Sequence, residues 1–280
     1  MNNPLVSVII PTYNSEKTLA KCMESIKNQT YQNIELVVVD NYSIDNTRKI
    51  ARKYTDKILL QKSGMGIQIN LGVFSSNGIY VLYIDDDMYL TKNVINNCIN
   101  HMNNYDALII PEECLENSFW SKCRNIEKKI YEGDLNIEAA RFFKRSVFLS
   151  VGGINERLKG FRDFDVHQKI KSAGYKIGRI SNSKIIHDVT PFLKEILIKR
   201  FLRAQTLCEY SKQHPKHYKS IIFRFTLIKA LPKIISKKPL YGTGLYILKL
   251  LEYFFSGLGL IFSNIINIVL KHQARINSIR

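Results

Sequence analysis

An α/β fold, a mixed but mostly parallel sheet flanked by helices, is predicted for the first two thirds of this 280-residue chain. Three observations predict it. Short runs rich in Val and Ile, Leu5–Ile10 and Ile34–Val39, read as strands buried on both faces. Helical patterns alternate with them at spacings that suit right-handed parallel crossovers. Acidic residues stand where strands end, Asp40 and Asp85-Asp86-Asp87, and open parallel sheets bind ligands beyond the carboxyl ends of their strands.

The elements follow in order. After the first strand, ended by Pro11, Ser15 can cap a helix over about 16–29 with Leu19, Cys22, Met23 and Ile26 on one face. The second strand leads through Asp40 to a helix started by Asp45 or Asn46 and running to about Tyr54. A short strand follows at 57–60, then a loop with Gly64 and Gly66, a helix over 67–75, and the strand Tyr80–Ile84 that runs into the Asp triplet. Beyond another helix, Ala107–Pro111 is strand-like, and a less regular stretch extends to about Asn136. Ala139–Phe143 reads as a strand, 146–151 as a short helix stopped by Gly152-Gly153, and 164–173 as a helix with Gly174 just past its end.

Beyond Pro191 the character changes. From Val189 to Arg280 there are 16 basic and three acidic residues, against 25 and 21 before it. The composition therefore divides the chain into 1–190, a nearly neutral catalytic domain, and 191–280, a cationic helical region. Helices are expected at about 192–213, broken by Pro215, at 221–235, crossed by Pro232, and at 241–270. Phe254–Leu270 carries no charge over 17 residues, short of the ~20 that a membrane span needs, so the reading favours basic amphipathic helices lying in a membrane interface over a spanning helix. Such a surface suits anionic lipid, nucleic acid or another polyanion, the alternative being a helical subdomain or oligomer interface with a solvated basic face. The five cysteines are odd in number and lack a CxxC pair, which disfavours a disulfide framework or zinc site and fits reduced thiols. No basic run followed by an apolar segment opens the sequence, so the catalytic half is expected on the cytoplasmic face of the membrane, held peripherally or by C-terminal helices.

Several residues can do chemistry. On an extended segment Asp85 and Asp87 point the same way and can share a Mg²⁺ or Mn²⁺ with substrate phosphates, the alternative being an acidic surface turn. Asp40, followed by Asn41 and Ser43, can accept from a base or ribose, or can simply close an Asx turn. Asp163 and Asp165 open a helix, where one can cap and the other serve as general base. His187 can be packed at a strand end, or act as a metal ligand or phosphate contact. Arg141 and Arg145 can hold phosphate or lie solvated.

Taken in order, these pieces resemble the family 2 glycosyltransferases of the GT-A fold. Val6-Ser7-Val8-Ile9-Ile10-Pro11-Thr12-Tyr13-Asn14 is similar to their opening strand and loop, and Leu36 to Thr47 to their second strand and the loop under the nucleotide. Tyr80 to Asp87 resembles the strand ending in the DxD motif. Phe142-Phe143-Lys144-Arg145 and Val151 to Glu156 resemble the segment before the catalytic helix, and Asp163-Phe164-Asp165-Val166 with Ala173 to Ile177 the region of the base. The resemblance covers about 4–188. It implies inverting transfer of one sugar from a nucleotide-diphospho-sugar to an acceptor hydroxyl, lipid-linked or on a growing glycan, with Mn²⁺ or Mg²⁺ as cofactor. It assigns nucleotide contacts to Pro11, Thr12, Tyr13, Asn14, Asp40 and Ser43. It assigns metal ligation to Asp85 and Asp87, with Asp86 between them on the nucleotide side, and the base to Asp163; His187, from the reading of the residues, is kept as a further candidate ligand. The chain departs from the family at Arg162, where Glu is common, and at Asn41, where a second Asp is common. It has no QxxRW-type motif after Asp163, which favours single-sugar addition.

Two other readings exist. A sugar-nucleotidyltransferase would show a Gly-rich basic loop after the first strand, and Pro11–Glu16 has none. A nucleic-acid-binding protein would show stacking platforms or a recognition helix, whereas the C-terminal aromatics lie among Leu and Ile; nucleic acid is not an expected partner.

Overall fold

Val6–Thr12 (β1) is buried throughout because both its faces are covered. The computed structural model describes residues 3–62, 64–188, 192–222 and 225–277. After β1 come α1 (Leu19–Lys27), β2 (Ile34–Asp40), α2 (Thr47–Ala51), β3 (Ile58–Leu60), α3 (Met65–Phe74) and β4 (Tyr80–Tyr83). Then follow β5 (Met88–Leu90), α4 (Val94–His101), β6 (Ala107–Ile109), β7 (Glu112–Cys114), α5 (Phe119–Ile130), β8 (Ala140–Lys144), α6 (Arg145–Ser150), α7 (Arg162–Ser172), β9 (Ile177–Arg179) and β10 (Ile185–His187). Five helices close the chain: α8 (Leu193–Ala204), α9 (Leu207–Gln213), α10 (Pro215–Ile222), α11 (Phe225–Lys237) and α12 (Pro239–Asn277).

Seven strands form the main sheet in the order β3-β2-β1-β4-β8-β6-β9. All its pairings are parallel except those of β8, which runs antiparallel to β4 and β6. The two-residue period of a strand divides the apolar runs between two cores. Val6, Val8, Ile10 and Leu82 face α1 and α4; Ile9, Val37, Val39 and Tyr83 face α3, α6 and α7. Burying one such aliphatic side chain contributes about 1.5–3 kcal/mol. A second sheet, β5-β10-β7, sets His187 opposite Met88 and Cys114, directly beside the Asp triplet.

Several expected boundaries move, each for a local reason. Ser15 does not cap a helix: its hydroxyl accepts from the Tyr13 amide and its own amide donates to Thr47 Oγ1, so α1 begins only at Leu19. The Asp triplet is not extended, because the Met88 amide donates to the Asp85 carbonyl and closes a turn between β4 and β5. The irregular stretch before Asn136 contains α5, started by a Ser118/Ser121 capping box. Its buried face includes Ser121, Asn125 and Glu127, which hid the helical period. The long helix expected over 192–213 is two helices, α8 and α9, and Pro215 is the first residue of α10, a position that needs no amide hydrogen.

The division at 190/191 falls in a stretch outside the described residues. The helices after it lie against the helices before it. α12 packs on α5 and α8, with Cys123, Leu227, Leu231 and Leu245 in one small core. Two glycines let the backbones meet. A Cβ on Gly244 would stand 2.4 Å from the Phe119 ring, and one on Gly259 would stand 2.3 Å from the Phe201 carbonyl oxygen. The opposite side of α12 exposes Phe254, Ile261 and Ile265, and Pro239–Ile266 is long and apolar enough to cross a membrane by length and composition.

These glycines give a test of the packing. Gly→Ala in a helix ordinarily stabilises by about 0.5–1 kcal/mol. Gly257→Ala, with open space around it, should raise the melting temperature or leave it unchanged. Gly259→Ala should lower it, since overpacking costs about 1–3 kcal/mol. Paired thermal melts check the difference in sign.

Candidate functional site

The carboxyl ends of β1 and β2 carry two loops that are bonded to each other. Asp40, fully buried, accepts from Thr12 Oγ1 at 2.9 Å, from the Ser43 amide at 2.8 Å and from Ser43 Oγ at 2.5 Å. Ser43 Oγ in turn accepts from the Asn14 amide at 2.9 Å, and Asn14 Oδ1 from the Ile44 amide at 3.0 Å. Asp40 therefore ties the two loops together and closes a turn onto Ser43. Asn14 and Tyr42 both sit in the left-handed region, at φ 51° and 54°. For non-glycine residues this costs of the order of 1–3 kcal/mol and persists where the surroundings dictate it. Tyr13 and Tyr42, in these two loops, are exposed to solvent. Pro11 does not end β1: it pairs with Val39, and the strand runs on to Thr12 opposite Asp40. Sequence reasoning missed Tyr42, and also Gln68, whose buried amide ties the Thr12 and Val39 carbonyls to α3 at 3.1 and 2.6 Å.

At the end of β4, Asp85, Asp86 and Asp87 diverge. Asp86 turns toward the start of α1, accepting from Thr18 Oγ1 at 3.1 Å, and burial pushes its carboxyl up to about 6. Burial also pushes Asp85 up, reinforced by the charges of Asp163 and Asp87 and opposed by Arg141. Burial opposes the Asp87 charge too, but His187 outweighs it and holds that carboxyl low, with Nε2 3.1 Å from Oδ1. Among the described residues no three His, Cys, Asp or Glu side chains converge as a ready metal cage. Asp85 and Asp87 are hard oxygen donors of the kind a divalent cation takes when it keeps open positions for phosphate oxygens.

Asp163 and Asp165, both open to the base role by sequence, separate clearly. Asp165 is fully buried and fixed by the Asn155 amide, Lys169 Nζ and His214 Nε2, all at 2.8 Å. Asp163 is partly exposed; Tyr83 donates its hydroxyl to Oδ1 at 3.0 Å, and Arg141 approaches Oδ2 at 3.4 Å. Phe161, at φ 63°, precedes both and sets the start of α7. Asp163 opens on a cavity of about 230 Å³ whose walls include Arg141, Glu112, Arg124, Tyr131 and Arg200. Arg141 is not solvated: it is buried between Asp163 and Glu112, with Nε 2.5 Å from Oε1. Arg145 binds the Val73 and Phe74 carbonyls at the end of α3, away from the rim. Tyr83 and Glu112 carried no sequence signal, because their roles depend on β4, β7 and β8 meeting in space.

Comparison with known proteins adds three findings. Residues 7–151 match the sequence profile described as Glycosyl transferase family 2. An uncharacterized glycosyltransferase of Rickettsia prowazekii is 28% identical over 206 residues, 67% of this chain and 63% of its own length. A mannosyltransferase from Pyrobaculum calidifontis, solved with GDP-Man and Mn²⁺, superposes with a TM-score of 0.66 at 18% identity, over 93% of this chain and 88% of that one. S. aureus TarS 1-349 with UDP-GlcNAc superposes with a TM-score of 0.55 at 20% identity, over 92% and 89%. At those identities the structural likeness is one of fold. The chain spans 16 to 63% of the length of the Rickettsia relatives it matches.

The helix that carries Asp163 also carries a pH-dependent liability. Burial, with the nearby charges of His217 and Lys171, pushes His167 down to about 4 from 6.5. Its neutral ring accepts from the Ala140 amide at 3.2 Å. A histidine lowered on folding leaves stability intact above pH 6.5 and removes it as pH falls toward 4, because the unfolded chain binds the proton first. Melting temperature should fall over that window, and His167→Gln should flatten the fall by up to about 3 kcal/mol, the size of a shift of this extent.

Proposed function

The chain belongs to glycosyltransferase family 2, and from that premise we propose that it moves one sugar, with inversion, from a nucleotide-diphospho-sugar to an acceptor hydroxyl. The observation that carries this reading is the placement of Asp163. It is held by Tyr83 and Arg141, faces an open cavity, and lies within electrostatic reach of Asp85 at the sheet rim. One group thus stands between a place for an acceptor and a place for a diphosphate.

In this proposal Thr12, Asn14 and Ser43 shape the nucleotide cradle, Asp40 locks it, and Tyr13 and Tyr42 flank the base. Asp85 and Asp87 would hold Mn²⁺ or Mg²⁺, with His187 at the edge, and the cation would neutralise charge on the departing diphosphate. Asp163 takes the proton of the acceptor hydroxyl as its oxygen bonds to the anomeric carbon, while the bond to the diphosphate breaks and the leaving group keeps the electron pair. Tyr83 and Arg141 fix the carboxylate direction during that transfer.

For residues 191–280 we propose docking on the anionic cytoplasmic face of the cell membrane. The exposed apolar side of α12 and the net positive charge support it; each basic residue near anionic lipid adds about 1 kcal/mol. The acceptor would be met there, lipid-linked or as a growing glycan.

Asp163→Asn should reduce transfer by about 10²–10⁴-fold, the usual weight of a general base, with donor binding retained. Asp87→Ala should weaken Mn²⁺-dependent donor binding. A thermal-shift panel of UDP, GDP and dTDP sugars with and without Mn²⁺ identifies the donor and provides the binding assay; near-normal turnover in both variants would overturn the mechanism. Replacing Phe254, Ile261 and Ile265 together by Asp should move the protein from the membrane to the soluble fraction on cell fractionation, with its melting temperature unchanged, because all three side chains are exposed.

A further inference from the structure

Two cavities meet at Arg200. The first, beside Asp163, is lined by four acidic and four basic side chains and has no net formal charge. The second, about 70 Å³, lies on the other side of Arg200, among α8, α10 and α12. It sets Arg200, Arg203 and Lys249 against Glu252 alone, and much of its remaining wall is apolar, from Leu207, Ile221 and Ile222.

Glu252 is already shared. Arg200 Nε lies 2.9 Å from Oε1, Arg124 Nη2 3.0 Å from the same oxygen, and Lys249 Nζ 2.5 Å from Oε2. Lys249 reaches Glu127 as well, at 2.6 Å. Three cations are thus distributed over two carboxylates. Arg203 adds a fourth cation that has no hydrogen-bond or ion-pair partner among the described residues. Its stem rests against Gly160, close before Asp163. Arg203 is exposed to solvent, and the cations of Arg200, Arg162 and Arg124 lie near it. A positive charge crowded by others in this way is relieved by an anion, and guanidinium recognises phosphate in bidentate fashion.

The geometry points to the second cavity as the site of a phosphate carried on an aliphatic chain. This rests on the glycosyl-transfer reading and narrows its acceptor to a lipid-phosphate-linked one. The acceptor's hydroxyl-bearing sugar occupies the neutral cavity beside Asp163. Its phosphate sits against Arg203 and Arg200. The chain leaves past Ile222 and the half-exposed Tyr253 onto the apolar side of α12, where Phe254 is 61% exposed. The charge contrast between the two cavities sets this order: the neutral one suits hydroxyl groups, the cationic one an anion.

Isothermal titration of the full chain with octyl phosphate, octyl glucoside and inorganic phosphate tests the assignment. Octyl phosphate is expected to bind below its micellar concentration, and the other two much more weakly. Arg203→Gln should weaken octyl phosphate about tenfold, the weight of one charge-assisted hydrogen bond, and Arg203→Lys should recover part of that loss. Sedimentation with phosphatidylglycerol vesicles should be the same for Arg203→Gln as for the unmodified chain. Equal binding of inorganic phosphate would overturn the proposal, because the chain would play no part. So would a loss of vesicle binding as large as the loss of octyl phosphate binding, because Arg203 would then read the bilayer surface. Nucleotide binding with Mn²⁺ by the same variant depends on the rim carboxylates, so it reports separately on the glycosyl-transfer reading.

Discussion

The burial of Arg141 is the constraint on which the candidate centre depends. A guanidinium removed from water needs close opposite charges. Glu112 at the start of β7 and Asp163 at the start of α7 supply those charges, and the guanidinium also lies over the Tyr83 ring, 5.5 Å from its centre. Three segments far apart in sequence are therefore held to one point. The small sheet, the main sheet and the helix of the base cannot shift independently without exposing that charge.

Much of this was legible in the sequence, and for identifiable reasons. β1, β2 and β4 are continuous apolar runs ended by polar residues, and each was found. The acids at their ends were found with them, because the sheet rim follows from strand direction alone. What could not be read depends on partners distant in the chain. β5, β7, β9 and β10 are three residues each, too short to show a period. α5 turns Asn125 and Glu127 inward, where Asn125 bonds the Cys114 backbone and Glu127 meets Lys249. A helix whose buried face is polar has no apolar stripe to detect. The resemblance pointed to Asp163 as the base, but what holds Asp165 could not be read, since His214, which binds it, lies 49 residues further on.

The last third of the chain reads by composition as a basic appendage, and its contacts give it a second role. His214 fixes Asp165 within the helix of the base. Tyr210, stacked against Phe161 at 5.3 Å and bonded to His217 at 2.5 Å, supports the strained residue before that helix. Arg200 walls the cavity that Asp163 faces. The helices that carry the apolar surface therefore also shape the candidate centre.

The glycine at position 259 has a consequence for how this architecture tolerates length changes. Its neighbours Leu258 and Leu260 are bulky, so sliding α12 by one residue along α8 would drive a leucine into a slot without room for a single carbon. The two helices therefore fit in one register. Insertions or deletions between Lys249 and Gly259 would throw the charged cluster and the glycine contact out of phase by 100° per residue. Lengthening beyond Ile268 leaves both in place, so variation in the length of this helix should accumulate at its far end.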